Sequence, residues 1–353
     1  MIEGLGKTMT GKTLIVATDG QAVIRSHDDG KNWYRINIRQ DLEYDDRVRC
    51  LLVDPNNPEA LFAGAEKGLF YSEDCGVHWR RIDCALNGFA VWKLVASESD
   101  PNVLYAGTGA PSLAILFRSR DGGKSWERTP LEMPEFCEGV NRPRMLALAV
   151  DPDDANDVWA GVEEGGLYRS RDGGDNWDRI DTTWSEFGGN SDLHDIVILK
   201  QDDGTKVHLA LTVIALYRST DDGKSWTRQV ARETWGLRYS RILQRKPGSN
   251  REIAVGIGDG TPGTTAAILR SGDAGLTWEK ADLSQPANSC IWAFGSNPAD
   301  PDFLLSASKF GYLYRSTDGG KSWQKEWREF NEITDLAWLP GVPSDLGVPH
   351  VTT

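Results

Sequence analysis

One octapeptide, Ser-x-Asp-x-Gly-x-x-Trp, occurs seven times in 353 residues, with its four fixed positions intact in every copy. The copies occupy residues 26–33, 72–79, 119–126, 170–177, 219–226, 271–278 and 316–323. Their serines lie 46, 47, 51, 49, 52 and 45 residues apart, a period that suits one four-stranded blade of a propeller. The expected fold is therefore all-β: a single seven-bladed β-propeller over 1–353, with a leading segment at 1–12 and a tail at 341–353.

The octapeptide has a local physical logic. A Gly two residues after an Asp, flanked by strand sequence, marks a hairpin turn with a residue at positive φ. The Asp carboxylate and Ser hydroxyl accept bonds from the turn's own amides, and the Trp covers the turn at the start of the next strand. An apolar run precedes each Ser, as in GLFY, ILFR and YLYR. Each copy is thus expected to join the third and outermost strands of a blade.

These repeats resemble the Asp-box (bacterial neuraminidase repeat) propellers, a superfamily that includes sialidases, xyloglucanases, the sortilin luminal domain and a photosystem II assembly factor. The resemblance runs from Leu14 to about Leu339. It implies that the boxes lie on the face opposite the ligand site, so that Asp28, Asp74, Asp121, Asp172, Asp221, Asp273 and Asp318 are structural. Sialidases are typically six-bladed and carry Phe/Tyr-Arg-Ile-Pro near the start. Here the nearest match is YRIN at 34–37, after the first box, which argues against sialidase activity.

Composition excludes several other classes. A net charge of −13 opposes general nucleic-acid affinity, and no run of 18 apolar residues exists to span a membrane. The five cysteines are scattered without a CxxC. With no apolar leader at the N-terminus, they point to reduced thiols and a cytoplasmic protein, although a chain trimmed of a signal peptide would read the same. No cofactor is expected.

Apolar strands recur between the boxes at 47–53, 90–96, 142–150, 193–199, 238–244, 290–296 and 333–339. They are the expected innermost strands. The chain opens at a second strand, 13–18, and closes on an orphan first strand, 333–339. Pairing these two would shut the ring and leave no open edge.

In such a ring, the links into the inner strands and the second-to-third turns share the face around the channel, where function is expected. Arginine pairs open the inner strands of blades two, four and six: Arg47/Arg49, Arg142/Arg144 and Arg238/Arg241. With Trp92 and Trp292 they form the candidate ligand-binding set, since guanidinium groups capture carboxylate or phosphate bidentately. The alternative is ion pairing with Asp45, Asp46, Glu66 or Glu163. The second-to-third turns add Asp19, Lys67, Glu164, Asp259 and Lys309. Trp184, Phe187, Trp235 and Trp327 offer aromatic surface for a sugar or a protein partner.

Two catalytic schemes fit these residues. His194, oriented by Asp195 and assisted by Tyr239 or Tyr44, could abstract a proton in an elimination. Glu43 or Asp46 with Glu332 or Asp335 could act as a hydrolytic carboxylate pair. One such His does not make a metal site, and none is expected. The sequence therefore points to a small anionic ligand, an acidic sugar or other carboxylate, bound at the channel mouth for hydrolysis or elimination. The alternative is a non-catalytic protein-interaction scaffold.

Overall fold

The computed structural model describes residues 11–36, 40–180, 184 and 192–342. Seven antiparallel sheets surround a central channel. From blade one to blade seven, the inner strands are Ile333–Pro340, Val48–Val53, Ala90–Ala96, Met145–Val150, Leu193–Lys200, Tyr239–Arg245 and Ile291–Gly295. Each packs against the next, and Ile333–Pro340 touches its neighbours on both sides. Ring closure is as predicted: Lys12 pairs with Pro340, and the ladder runs to Thr18 opposite Ile333.

The core lies between the blades. Seven apolar clusters fill the seven interfaces: Phe62 and Leu94, for example, join blades two and three, and Trp159 and Leu193 join blades four and five. The largest fully buried side chains are Trp159, Trp323 and Trp338. Blade seven departs from the repeat, because Asp282–Leu283 adds a fifth strand parallel to the long outer strand Ser322–Glu329.

Each box performs the role its residues imply, with one refinement. The fixed Gly has positive φ, but so does the residue before it, as at Asp29 (63°) and Gly30 (83°). The Ser hydroxyl donates to the Asp carboxylate, 2.8 Å at Ser119–Asp121, and accepts the Gly123 amide at 2.8 Å. The Trp126 indole donates to the Gly123 carbonyl at 3.0 Å. A further semi-fixed position emerges four residues after the Asp, occupied by Asn, His, Ser or Thr. Its side chain and amide both bond the carboxylate, as Asn176 does at 2.7 and 2.9 Å to Asp172.

These donors hold the box carboxyls below the usual range. At Asp172 and Asp221 the side-chain bond leads and the carboxyl falls to about 2. At Asp318 burial opposes the same bonds but is outweighed, again to about 2. A depressed folded pKa contributes stability that is present above the unfolded value and is lost as pH falls through the folded one. The denaturation midpoint is therefore expected to fall between pH about 4 and about 2. A midpoint flat across that window, measured by urea titration, would contradict this account of the turns.

One feature common to all blades positions the site. Every inner strand carries a one-residue irregularity in its pairing with the second strand, which leaves out Thr334, Arg49, Trp92, Leu146, His194, Arg241 and Trp292 in blades one to seven. A bulge re-aims its extra residue. Six of these seven side chains line one cavity; only Leu146 does not.

Candidate functional site at the channel mouth

The cavity, about 540 Å³, receives residues from every blade. The second-to-third turns supply Asp19, Glu163, Thr261 and Lys309, and the entering links supply Val140, Asp192 and Glu332. The boxes join third to fourth strands, so by antiparallel alternation they lie at the other end of each blade.

Two tryptophans organise the cavity. Trp92 lies between Arg49 and Arg144, whose guanidinium carbons sit 4.7 and 4.9 Å from its ring centre. Trp292 lies between Arg241 at 4.1 Å and the Lys309 ammonium at 3.9 Å. Cations stacked on indole in a partly desolvated site gain about 1–2 kcal/mol each.

The arginines fall into three groups, and this corrects the expectation of three equivalent pairs. Arg49 bonds Asp19 at 2.9 Å and Glu66 at 2.5 Å, and Arg47 joins the same two acids from a more exposed position. Arg144 grips Glu163 through two nitrogens. Arg142 and Arg238 do not line the cavity and donate to the carbonyls of Pro111 and Asp259. Arg241 alone of the six lacks both an acid partner and a hydrogen bond among the described residues. Only Arg49 and Arg241 occupy the bulge; Arg144 lies two residues before its own blade's bulge.

The catalytic candidates are also redistributed. His194 is in the cavity wall, with its side chain 4% exposed, and its Nδ1 lies 2.6 Å from the Ser240 carbonyl. Asp195 does not orient it. That carboxylate turns deeper into the channel, accepts the Ile196 and Leu243 amides at 3.0 Å each and bonds Lys93 at 3.0 Å. The acid beside His194 is Asp192, whose Oδ1 is 3.5 Å from Nε2. Burial would raise the Asp192 carboxyl, but His194, Arg241 and Arg144 outweigh it and hold the group below its ordinary value.

Tyr239 lines the cavity, and burial pushes its hydroxyl up to about 12. Tyr44 and Glu43 are outside: Tyr44 is exposed beneath Arg35, and Glu43 bonds Lys67 at 2.5 Å. Glu332 is inside but contacts Lys309, 23 positions earlier in the chain, rather than Glu43. Burial, then Arg241 nearby, lowers the Lys309 ammonium to about 8.

Below the cavity, Asp335 accepts the Leu51 and Leu336 amides at 2.8 Å each, and enclosure raises its carboxyl to about 6. Of the four aromatic side chains named as interaction surface, Trp184 is buried against Tyr217 and Trp235 packs on Trp278. Trp327 is exposed on the outer strand of blade seven, and Phe187 lies outside the described residues.

Sequence reasoning missed Asp192, Thr261 and Thr334. It also missed the rule that selects the wall residues. Aligning VRC, VWK, MLA, LHD, SRI, IWA and ITD across the inner strands places the bulge residue in the middle of each triplet.

The fold and the repeats define a class: the chain is a seven-bladed Asp-box β-propeller. A family model described as the BNR/Asp-box repeat matches residues 314–325, and one described as the photosynthesis system II assembly factor YCF48 matches residues 112–260. Among curated proteins, the chain is 25% identical to a xyloglucanase of Hypocrea jecorina (strain QM6a) over 79% of its own length and 38% of that enzyme. It is also 25% identical to the photosystem II assembly lipoprotein Ycf48 of Synechococcus sp. (strain CC9902), over 83% of this chain and 78% of that protein. The chain thus spans well under half the length of the curated xyloglucanases it matches. Among solved structures, the GH74 xyloglucanase from Xanthomonas campestris superposes with TM-score 0.64 at 16% identity, over 90% of this chain and 54% of that one. A structure of YCF48 bound to D1 peptide superposes with TM-score 0.51 at 16% identity, over 79% and 81%.

Proposed function

We propose that the channel mouth binds a carboxylate-bearing ligand and does not cleave it. The observation that carries this reading is Arg241: stacked on Trp292 beside Lys309, it faces the cavity with no acid bonded to it. A guanidinium held flat on an indole keeps its donor edge for a planar anion. Thr261 and Tyr239 on the same side supply neutral hydroxyls. Both an acidic sugar and the acidic group of a protein partner present the required chemistry. The D1 peptide held by a YCF48 of similar fold supports the second source.

The likeness to xyloglucanases favours glycan hydrolysis as a second reading. Against it, glycosidases need one protonated and one free carboxyl flanking the bond. Asp19, Glu163 and Glu332 each hold a cation, Asp192 is kept ionised, and Asp335 lies below the cavity lining.

A thermal-shift screen tests the proposal with glucuronate, sialic acid, succinate, a peptide ending in a free carboxylate, the same peptide amidated, and neutral xyloglucan oligosaccharide. Binding at a hundred times Kd stabilises by about 2.7 kcal/mol, enough to move the melting temperature by roughly 2–4 °C. At least one carboxylate should do this with wild type and lose the effect with Arg241→Ala, while Arg142→Ala behaves as wild type. Release of reducing ends from xyloglucan, or no shift from any carboxylate, would overturn the reading.

A further inference from the structure

We infer that Glu163, Asp192 and His194 form a binding site for a first-row divalent cation, Zn²⁺ or Mn²⁺, on the blade-four and blade-five wall of the mouth. One ligand atom from each residue lies within 4.8 Å of the others. Ligand atoms on metal bonds of about 2.0–2.2 Å stand roughly 3–3.6 Å apart, so the widest separation must close by about 1–2 Å. The inference departs from the expectation that a single histidine leaves no metal site, because the further ligands are carboxylates.

One unsatisfied acceptor and a buried imidazole distinguish this trio from a surface cluster of acids. The 2.6 Å contact to the Ser240 carbonyl places a proton on His194 Nδ1, so Nε2 is the ring nitrogen that faces Asp192. Asp192 Oδ1, 3.5 Å away, is buried and has no hydrogen-bond donor. A buried carboxylate oxygen without a donor is costly unless a cation or a proton reaches it. The imidazole is 96% enclosed by its own strand and the neighbouring blade, given a side-chain exposure of 4%.

The surroundings match how proteins hold a metal. A ligating His commonly donates its other nitrogen to a backbone carbonyl, and ligating carboxylates are themselves bonded. Ser240 provides the first of these, and Arg144 on Glu163 provides the second. One imidazole with two carboxylates suits Zn²⁺ or Mn²⁺ better than Ca²⁺ or Mg²⁺, which take oxygen donors. Three protein ligands leave coordination positions open toward the cavity. The site does not depend on the carboxylate ligand proposed above.

The test uses full-length, tag-free protein, stripped with EDTA and dialysed free of it. Calorimetric titration with ZnCl₂ and MnCl₂ should show one site per chain, with MgCl₂ and CaCl₂ binding at least tenfold more weakly. His194→Ala and Asp192→Asn should each weaken Zn²⁺ by tenfold or more. His78→Ala, on the box face beside Asp74, should leave it unchanged. Should His194→Ala misfold, Glu163→Gln with an unaltered near-UV circular dichroism spectrum serves the same purpose. No Zn²⁺ or Mn²⁺ binding at millimolar concentration overturns the inference in favour of a protonated His194 paired with Asp192. Binding that survives in all three site variants overturns it as well. Carboxylate binding that persists in EDTA while no metal binds sinks only this inference; metal binding without any carboxylate response sinks only the functional proposal.

Discussion

Truncation after Phe330 is expected to abolish the soluble monomer. The removed segment carries Ile333–Pro340, which pairs along the whole of Lys12–Thr18. It also takes Trp338, 1% exposed, and Leu336 from the interface with blade seven, and Ala337 and Leu339 from the interface with blade two. Without it, Lys12–Thr18 becomes an open edge, and the inner strands of blades two and seven lose their neighbour. An unpaired, apolar, two-sided edge is a template for association. Burying a Trp, three Leu or Ile side chains and an Ala is worth roughly 7–13 kcal/mol at about 1.5–3 kcal/mol per large side chain, comparable to the whole stability of a domain. Size-exclusion chromatography and circular dichroism should show aggregation or loss of the native spectrum. A truncated chain that stays monomeric and melts unchanged would contradict ring closure.

Replacing a box tryptophan should have the next largest effect, and its size should follow burial. Trp323 is 1% exposed, packs near Phe294 and donates to the Gly320 carbonyl at 3.0 Å. Trp323→Ala should cost about 3–5 kcal/mol, the range for large aromatic truncations in cores. Trp278 is only half-buried, and its indole donates to Gln229 instead of the box glycine. Trp278→Ala should therefore cost less, at about 1–3 kcal/mol. Equal losses in urea denaturation would mean that the box itself, and not blade packing, sets the contribution.

The architecture was legible because it is local and repeated. Each octapeptide encodes its own turn, and seven of them at one spacing leave few alternatives to a seven-bladed ring. The orphan strand at 333–339 even identified its partner, since a propeller with an open edge would be unstable. The site was less legible for a physical reason. Which side chains face the channel depends on a bulge, and a bulge shifts the alternation of the strand by one residue. Arg47 and Arg49 look interchangeable in sequence, yet one is at the rim and the other is pinned on Trp92. Asp195 adjoins His194 in the chain, but the same irregularity sends the two side chains to different depths, and Asp192 takes the neighbouring place. Pairings across blades, such as Lys93 with Asp195 or Lys309 with Glu332, depend on ring geometry, which composition does not encode.

The most direct test of a binding mouth built on Arg241 is calorimetric titration of the best carboxylate from the screen into wild type, Arg241→Ala and Arg241→Lys. The expected result is one site per chain, at least tenfold weaker in Arg241→Ala. Arg241→Lys should restore part of the loss, because charge returns without the planar fork. The ligand should be recovered intact. Equal affinity in all three proteins, or a ligand consumed during the titration, would contradict it.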